Sequence, residues 1–157
     1  MLEGGCKQVD HYKSILVAVD GSKEAEYAFR KSIDVAKRNK NSVLTIINII
    51  NTRSFEAYDR SVVERAQKSA EELLNGYKSQ AEYEGVKTVK VIIEYGSPKT
   101  MITGEMANLA KADLIMCGAT GLNAVERFLT GSVSEAIVRS ANCDVLVIRR
   151  PVLHAVK

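Results

Sequence analysis

Gly118, Gly121, Gly131 and Ser132 follow one another at spacings of two and nine residues within "GATGLNAVERFLTGSVSEA", residues 118 to 136. Glycine reaches positive φ and lets a ligand approach the backbone, and a helix N-terminus offers unpaired N–H groups with a dipole that favours anions. Gly118 and Gly121 are therefore expected to supply a turn and close approach. Gly131, Ser132, Val133 and Ser134 open a helix and can present amides and hydroxyls to phosphates. Arg127, inside the spacer, can neutralise phosphate charge through its planar donors; it reads equally well as a solvated or subunit-facing side chain. Spacing alone also fits a plainer account, in which the glycines only allow a tight exit from a strand and Gly131-Ser132 is an ordinary helix start.

Other chemistries have less support. There is no GxxxxGK[ST], and no GxGxxG follows the first apolar strand, which disfavours a P-loop NTPase and a dinucleotide dehydrogenase. Cys6, Cys117 and Cys143 form no CxxC, and their odd number argues against a disulfide framework, so they read as reduced thiols. His11 and His154 lie near opposite ends of the chain with no partner motif. Efficient ATP hydrolysis needs a positioned water, charge neutralisation and usually a metal. No histidine or glutamate near the glycine loop is an evident general base.

The elements that must position the loop are legible from periodicity. The continuous apolar run Ile15 to Val19 is the pattern of a strand buried on both faces of a parallel sheet. It ends at Asp20-Gly21-Ser22, where Ser22 can cap a helix whose apolar stripe is Ala25, Ala28, Phe29, Ser32, Ile33 and Ala36. Val43 to Ile50 is a second strand. After a polar loop from Asn51 to Tyr58, a long second helix carries Val62, Val63, Ala66, Ala70, Leu73, Leu74, Tyr77 and Ala81. Thr88 to Tyr95 alternates like a half-exposed edge strand. Ser97-Pro98 starts a third helix with Met101, Ile102, Met106 and Leu109 on its apolar side. Asp113 to Cys117 is the fourth strand, Ser132 to Ala141 the fourth helix and Asp144 to Arg149 the fifth strand.

Five strands alternating with four helices imply a single α/β domain: a doubly wound, five-stranded parallel sheet with helices on both faces. With strand order 3-2-1-4-5, assumed from the fold class, the order reverses between strands 1 and 4, where such sheets bind ligands. Asp20 and Gly118, leaving those two strands, would then meet at one crevice. Aspartate at a strand end also commonly caps the next helix.

Composition agrees. The 157 residues suit one domain, and 46% hydrophobic with 26% charged residues is the balance of a soluble globular protein. The net charge of +3 is spread along the chain, so no nucleic-acid arm stands out. No apolar run approaches the roughly 18 to 20 residues of a membrane span. The N-terminus lacks the apolar core of a signal peptide, so a cytoplasmic location is expected. Residues 1–12 read as a polar tail, 13–150 as the domain and 151–157 as a C-terminal tail.

The G-x2-G-x9-G-[ST] pattern, together with "ILVAVDGS" at residues 15 to 22 and the closing "CDVLVIRR", resembles the universal stress protein family over nearly the whole chain, Lys13 to Arg150. The resemblance implies a dimeric, ATP-binding α/β domain of the branch that keeps the nucleotide motif. By position, Ala18, Val19 and Asp20 would border adenine and ribose, and Leu44 or its neighbours the base. Gly118, Gly121, Gly131, Ser132 and Val133 would cradle the phosphates, with Cys117, Ser134 and Arg127 beside them. Some relatives have proline where this chain has Ala18, which bears on the base contacts and leaves the phosphate loop untouched. Mg²⁺ is compatible with such a site, its ligands unassigned.

Two functions of different class follow. One is a nucleotide-dependent regulatory or stress-response switch, with slow ATP hydrolysis left open. The other is an interaction scaffold without nucleotide dependence. The continuously apolar Val145 to Ile148 of strand 5 would form a sheet edge open to pairing with a second copy, unless the tail from Pro151 onward covers it.

Overall fold

The computed structural model describes residues 11–51, 60–120 and 131–151. Five strands, β1 Ser14–Ala18, β2 Val43–Asn51, β3 Thr88–Gly96, β4 Leu114–Gly118 and β5 Asp144–Ile148, form one sheet in the order β3-β2-β1-β4-β5. Every neighbouring pair is parallel. The helices are α1 Lys23–Arg38, α2 Arg60–Tyr83, α3 over residues 98–110, and α4 Ser132–Ser140. Strand boundaries differ from the expected ones by one residue, the usual scatter of element ends.

β1 is central because it can be apolar on both faces. Ile15, Leu16 and Val17 are all fully buried, and each such side chain contributes roughly 1.5 to 3 kcal/mol by leaving water. Alternation sends Ile15 and Val17 to one side of the sheet, against Phe29 and Ile33 of α1 and Leu74 and Tyr77 of α2. Leu16 goes to the other, with Ile102 and Met106 of α3 and Ile137 of α4. Phe29 and Tyr77 stack with ring centroids 4.3 Å apart, joining α1 to α2.

α1 starts as its sequence dictates. Ser22 is the N-cap, its Oγ accepting from the Ala25 N–H at 3.1 Å, and Glu24 and Glu26 occupy the first turn while Lys37 and Arg38 close the last. α3 departs from expectation. It begins at Pro98 but continues through a π segment, Ile102–Met106, before returning to α geometry at Ala107–Ala110. The wider turn rotates everything after it, so Leu109, expected on the apolar side, is 67% exposed instead.

Candidate functional site

A cleft of about 730 Å³ opens at the carboxyl ends of the strands, where the sheet order reverses between β1 and β4. Its size lies within the range of small-molecule sites. One wall is the exit of β1, Ala18 to Gly21, and a second is the end of β2 from Ile47 to Asn51. Ala66, Ser69, Ala70 and Leu73 of α2 add a third, at helical spacing on one face. At the far end lie Cys117, Gly118 and Thr120 beside Gly131 to Ser134.

The β1 exit is held in shape by its own polar groups. Val19 N–H donates to the Ile47 carbonyl at 2.9 Å, and Asn48 Nδ2 donates to the Val19 carbonyl at 2.7 Å. Asp20 Oδ1 accepts from the Ser22 N–H at 2.9 Å, forming the turn that precedes α1, while Ser22 itself is the cap. Gly21 takes φ +87°, a conformation that a β-carbon would strain. Among the described residues lining the cleft, the positive-φ glycine is Gly21, on the β1 side.

Gly118 lines the cleft and also has a packing task that the spacing did not announce. A β-carbon there would lie 3.0 Å from the carbonyl carbon and oxygen of Glu24. The missing side chain lets the first turn of α1 pack against the β4 exit; its close approach is to protein backbone. Immediately after it, Ala119 N–H donates to the Ile148 carbonyl of β5 at 2.9 Å, and the Ala119 carbonyl accepts from Gly131 N–H at 2.7 Å. The two ends of the glycine loop are therefore pinned side by side.

Gly131 is the N-cap of α4 and, among the described residues, no side chain caps this helix, so the first-turn amides of Ser132, Val133 and Ser134 stand at the cleft without a side-chain acceptor from that set. That is an arrangement able to receive an anion. Ser132 is exposed. Ser134 is buried, and its hydroxyl lies 2.8 Å from the Ala119 carbonyl and 2.9 Å from that of Gly131, so it ties the loop together. Cys117 is buried in the same wall, and desolvation pushes its thiol up to about 11, which keeps it protonated and unreactive at neutral pH.

Among the expected site residues, Ala18, Val19, Asp20, Cys117, Gly118, Gly131, Ser132, Val133 and Ser134 line one cleft. Gly121 and Arg127 lie outside the described residues. Leu44 is not at the cleft. It sits at the start of β2, opposite Ile15 and Val89, and is fully buried in the core. The β2 residues that reach the cleft come three to seven positions later, because the strand's carboxyl end faces it. Sequence reasoning missed Asn48, although a polar residue interrupting the apolar run "TIINII" is a signal. It also missed the α2 wall, whose small residues were read only as core.

Among the described residues lining the cleft, Asp20 is the one charged side chain. No group of three potential metal ligands occurs among the described residues. Nor is any helix among them long and apolar enough to cross a membrane.

Fold and cleft together define a class: a doubly wound α/β protein with its ligand crevice at the switch point and an uncapped helix start at one end. The chain belongs to the universal stress protein family, whose model matches residues 11–149. A curated universal stress protein from Staphylococcus saprophyticus is 56% identical over 141 residues, covering 88% of this chain and 84% of its own. The solved universal stress protein UspA from Lactobacillus plantarum superposes with a TM-score of 0.76 at 28% identity, covering 88% of this chain and 99% of that one. Two neighbours were solved with nucleotides. A universal stress protein in complex with cAMP has a TM-score of 0.69 at 23% identity, over 88% of this chain and 98% of its own. A family member from Arabidopsis thaliana with AMP bound has 0.65 at 20%, over 88% and 92%. At those identities the likeness to this chain is one of fold.

Proposed function

We propose that this protein binds ATP in the switch-point cleft and works as a nucleotide-dependent regulatory switch in the response to stress, as a cytoplasmic homodimer. The observation that carries the reading is the cleft itself, about 730 Å³, running from apolar walls to the uncapped start of α4. The base would lie against Ala18, Val19 and the carboxyl end of β2, and Asp20 would meet the ribose. Gly118, Gly121, Gly131, Ser132 and Val133 would surround the phosphates. That the same fold holds cAMP and AMP in other proteins supports a nucleotide as the ligand class.

Mg²⁺ would arrive with the phosphates. Magnesium commonly keeps several waters and is bound through one or two carboxylates plus substrate phosphates, and Asp20 is the carboxylate that lines the cleft among the described residues. No dedicated protein cage is required.

The expected outcome is micromolar or tighter ATP binding by calorimetry, release of nucleotide when purified protein is denatured, and weaker binding by Ser132→Ala and Gly121→Val with the fold retained. Phosphate release faster than about 1 s⁻¹, the low end of ordinary enzymes, would make the protein an ATPase and overturn the switch.

A second reading is favoured by β5, the sheet edge where Leu146 is 40% exposed. Antiparallel pairing of two β5 strands about a twofold axis would close that edge. Dimers that form regardless of nucleotide, in a protein that binds none, would establish the scaffold in place of the switch.

A further inference from the structure

Arg150 follows β5 and reaches across to α1, where its Nε lies 3.0 Å from Glu24 Oε1; the two side chains are 46% and 22% exposed. Glu24 is also the residue whose backbone fills the space beside Gly118, with its carbonyl 3.0 Å from where a β-carbon would sit. Ala119, the next residue, donates from its N–H to Ile148, two positions before Arg150. The exit of β4, which carries the loop to Gly131, is thus enclosed between the first turn of α1 and the end of β5. Among the described residues, the Glu24–Arg150 pair is a side-chain bond that joins those two enclosing segments.

We propose that Glu24 and Arg150 are positioning residues for the phosphate half of the cleft. Neither lines the cleft. The pair acts through Gly118 and Ala119, holding the β4 exit at the distance from α4 that lets the first-turn amides converge on phosphate oxygens. The inference rests on the cleft being an ATP site, and it separates the two halves of that site. The base half, built by Asn48, Val19 and α2, has no bond to this pair among those described.

The test is a ligand series, adenosine, AMP, ADP and ATP, titrated calorimetrically into wild type, Glu24→Gln, Arg150→Gln, the double variant and Arg150→Lys. Both glutamine variants should bind ATP about two- to fivefold more weakly, the range an ion pair of this exposure delivers, while adenosine binding stays unchanged. The double variant should be no worse than either single one, as expected for two partners of one interaction. Arg150→Lys, which keeps the charge, should stay nearest to wild type. Equal losses for adenosine and ATP would overturn the proposal, since that is what general loosening of the fold produces. So would tighter ATP binding by Glu24→Gln, because freeing Arg150 would then be helping it reach phosphate directly. Wild type that binds ATP beside variants with an unaltered series would remove the pair's role and leave the site intact. Wild type that binds no ATP would remove both.

Discussion

The two ends of the sheet carry similar polar residue types and use them differently. At the amino ends of the strands, Tyr12 donates from its hydroxyl to Asp144 Oδ2 at 2.7 Å and from its N–H to Asn39 Oδ1 at 2.6 Å. Asp113 accepts from the N–H groups of Lys13 and Ser14 at 2.8 and 3.0 Å, and Ser14 Oγ donates to the Ala110 carbonyl at 2.7 Å. A concavity of about 410 Å³ remains there, and of the polar groups around it Tyr12, Asn39 and Asp144 bond to one another. The hydrogen bond to Asp144 even holds the Tyr12 phenol above its ordinary value. At the carboxyl ends the cleft is larger, and the start of α4 has no side-chain cap among the described residues. Internal satisfaction yields stability, whereas donors left at a cleft are what a ligand can use.

If that contrast holds, the largest effect comes from the one place where packing and site coincide. Gly118→Val should destabilise the fold by about 2 to 3 kcal/mol, as overpacking against a backbone does, because its β-carbon meets the Glu24 carbonyl at 3.0 Å. Thermal unfolding should show the loss, and ATP binding should fall with it. Asp113→Ala should cost about 1 kcal/mol, chiefly from the part-buried Ser14 N–H left without its acceptor, since the exposed Lys13 N–H can turn to water. ATP affinity of the folded protein should not change; an affinity loss there would erase the division between the two ends.

Ser134→Ala and Ser132→Ala divide the cleft itself. Removing the Ser134 hydroxyl, buried between Ala119 and Gly131, should lower stability by about 1 kcal/mol. Removing the exposed Ser132 hydroxyl should leave stability within about 0.5 kcal/mol and weaken ATP binding. A reversed pattern would exchange the roles given to the two serines.

The Cys117 thiol tests how dry the cleft wall is. Its folded value is raised above the unfolded one, so the unfolded chain gives up its proton first and stability falls as pH rises from 9.0 towards about 11. By pH 10 its share of the loss should be about 1 kcal/mol, so Cys117→Ala should lose less than wild type by that amount, the raised Cys143, Tyr12 and Tyr77 contributing alike to both. Equal alkaline losses in both proteins would mean that the thiol is hydrated.

Much of this was legible because the governing patterns are local. Ser22, Glu24 and Glu26 announce the start of α1, and β1's apolar run announces a central parallel strand. Strand order and the meeting of Asp20 with Gly118 followed from the fold class, and both lie where expected. What was not legible depends on approach in three dimensions. Nothing near Gly118 in sequence says that the Glu24 backbone, 94 residues earlier, would fill its missing side chain. The resemblance placed Leu44 or its neighbours at the base by position, whereas the β2 residues at the cleft start at Ile47, because only the carboxyl end of a strand faces a switch point. The regular apolar stripe of α3 carries no sign of its π segment, so Leu109 was expected on the apolar side and is exposed instead.

The central claim is that the uncapped start of α4 and the cleft beside it hold the phosphates of ATP. Calorimetric titration of full-length protein with ATP, with and without Mg²⁺, beside Ser132→Ala, tests it most directly. The account predicts a single site of micromolar or tighter affinity in wild type and weaker binding in a variant that is equally stable. No binding heat and no nucleotide released on denaturation, or wild-type affinity in Ser132→Ala and Gly121→Val alike, would contradict it.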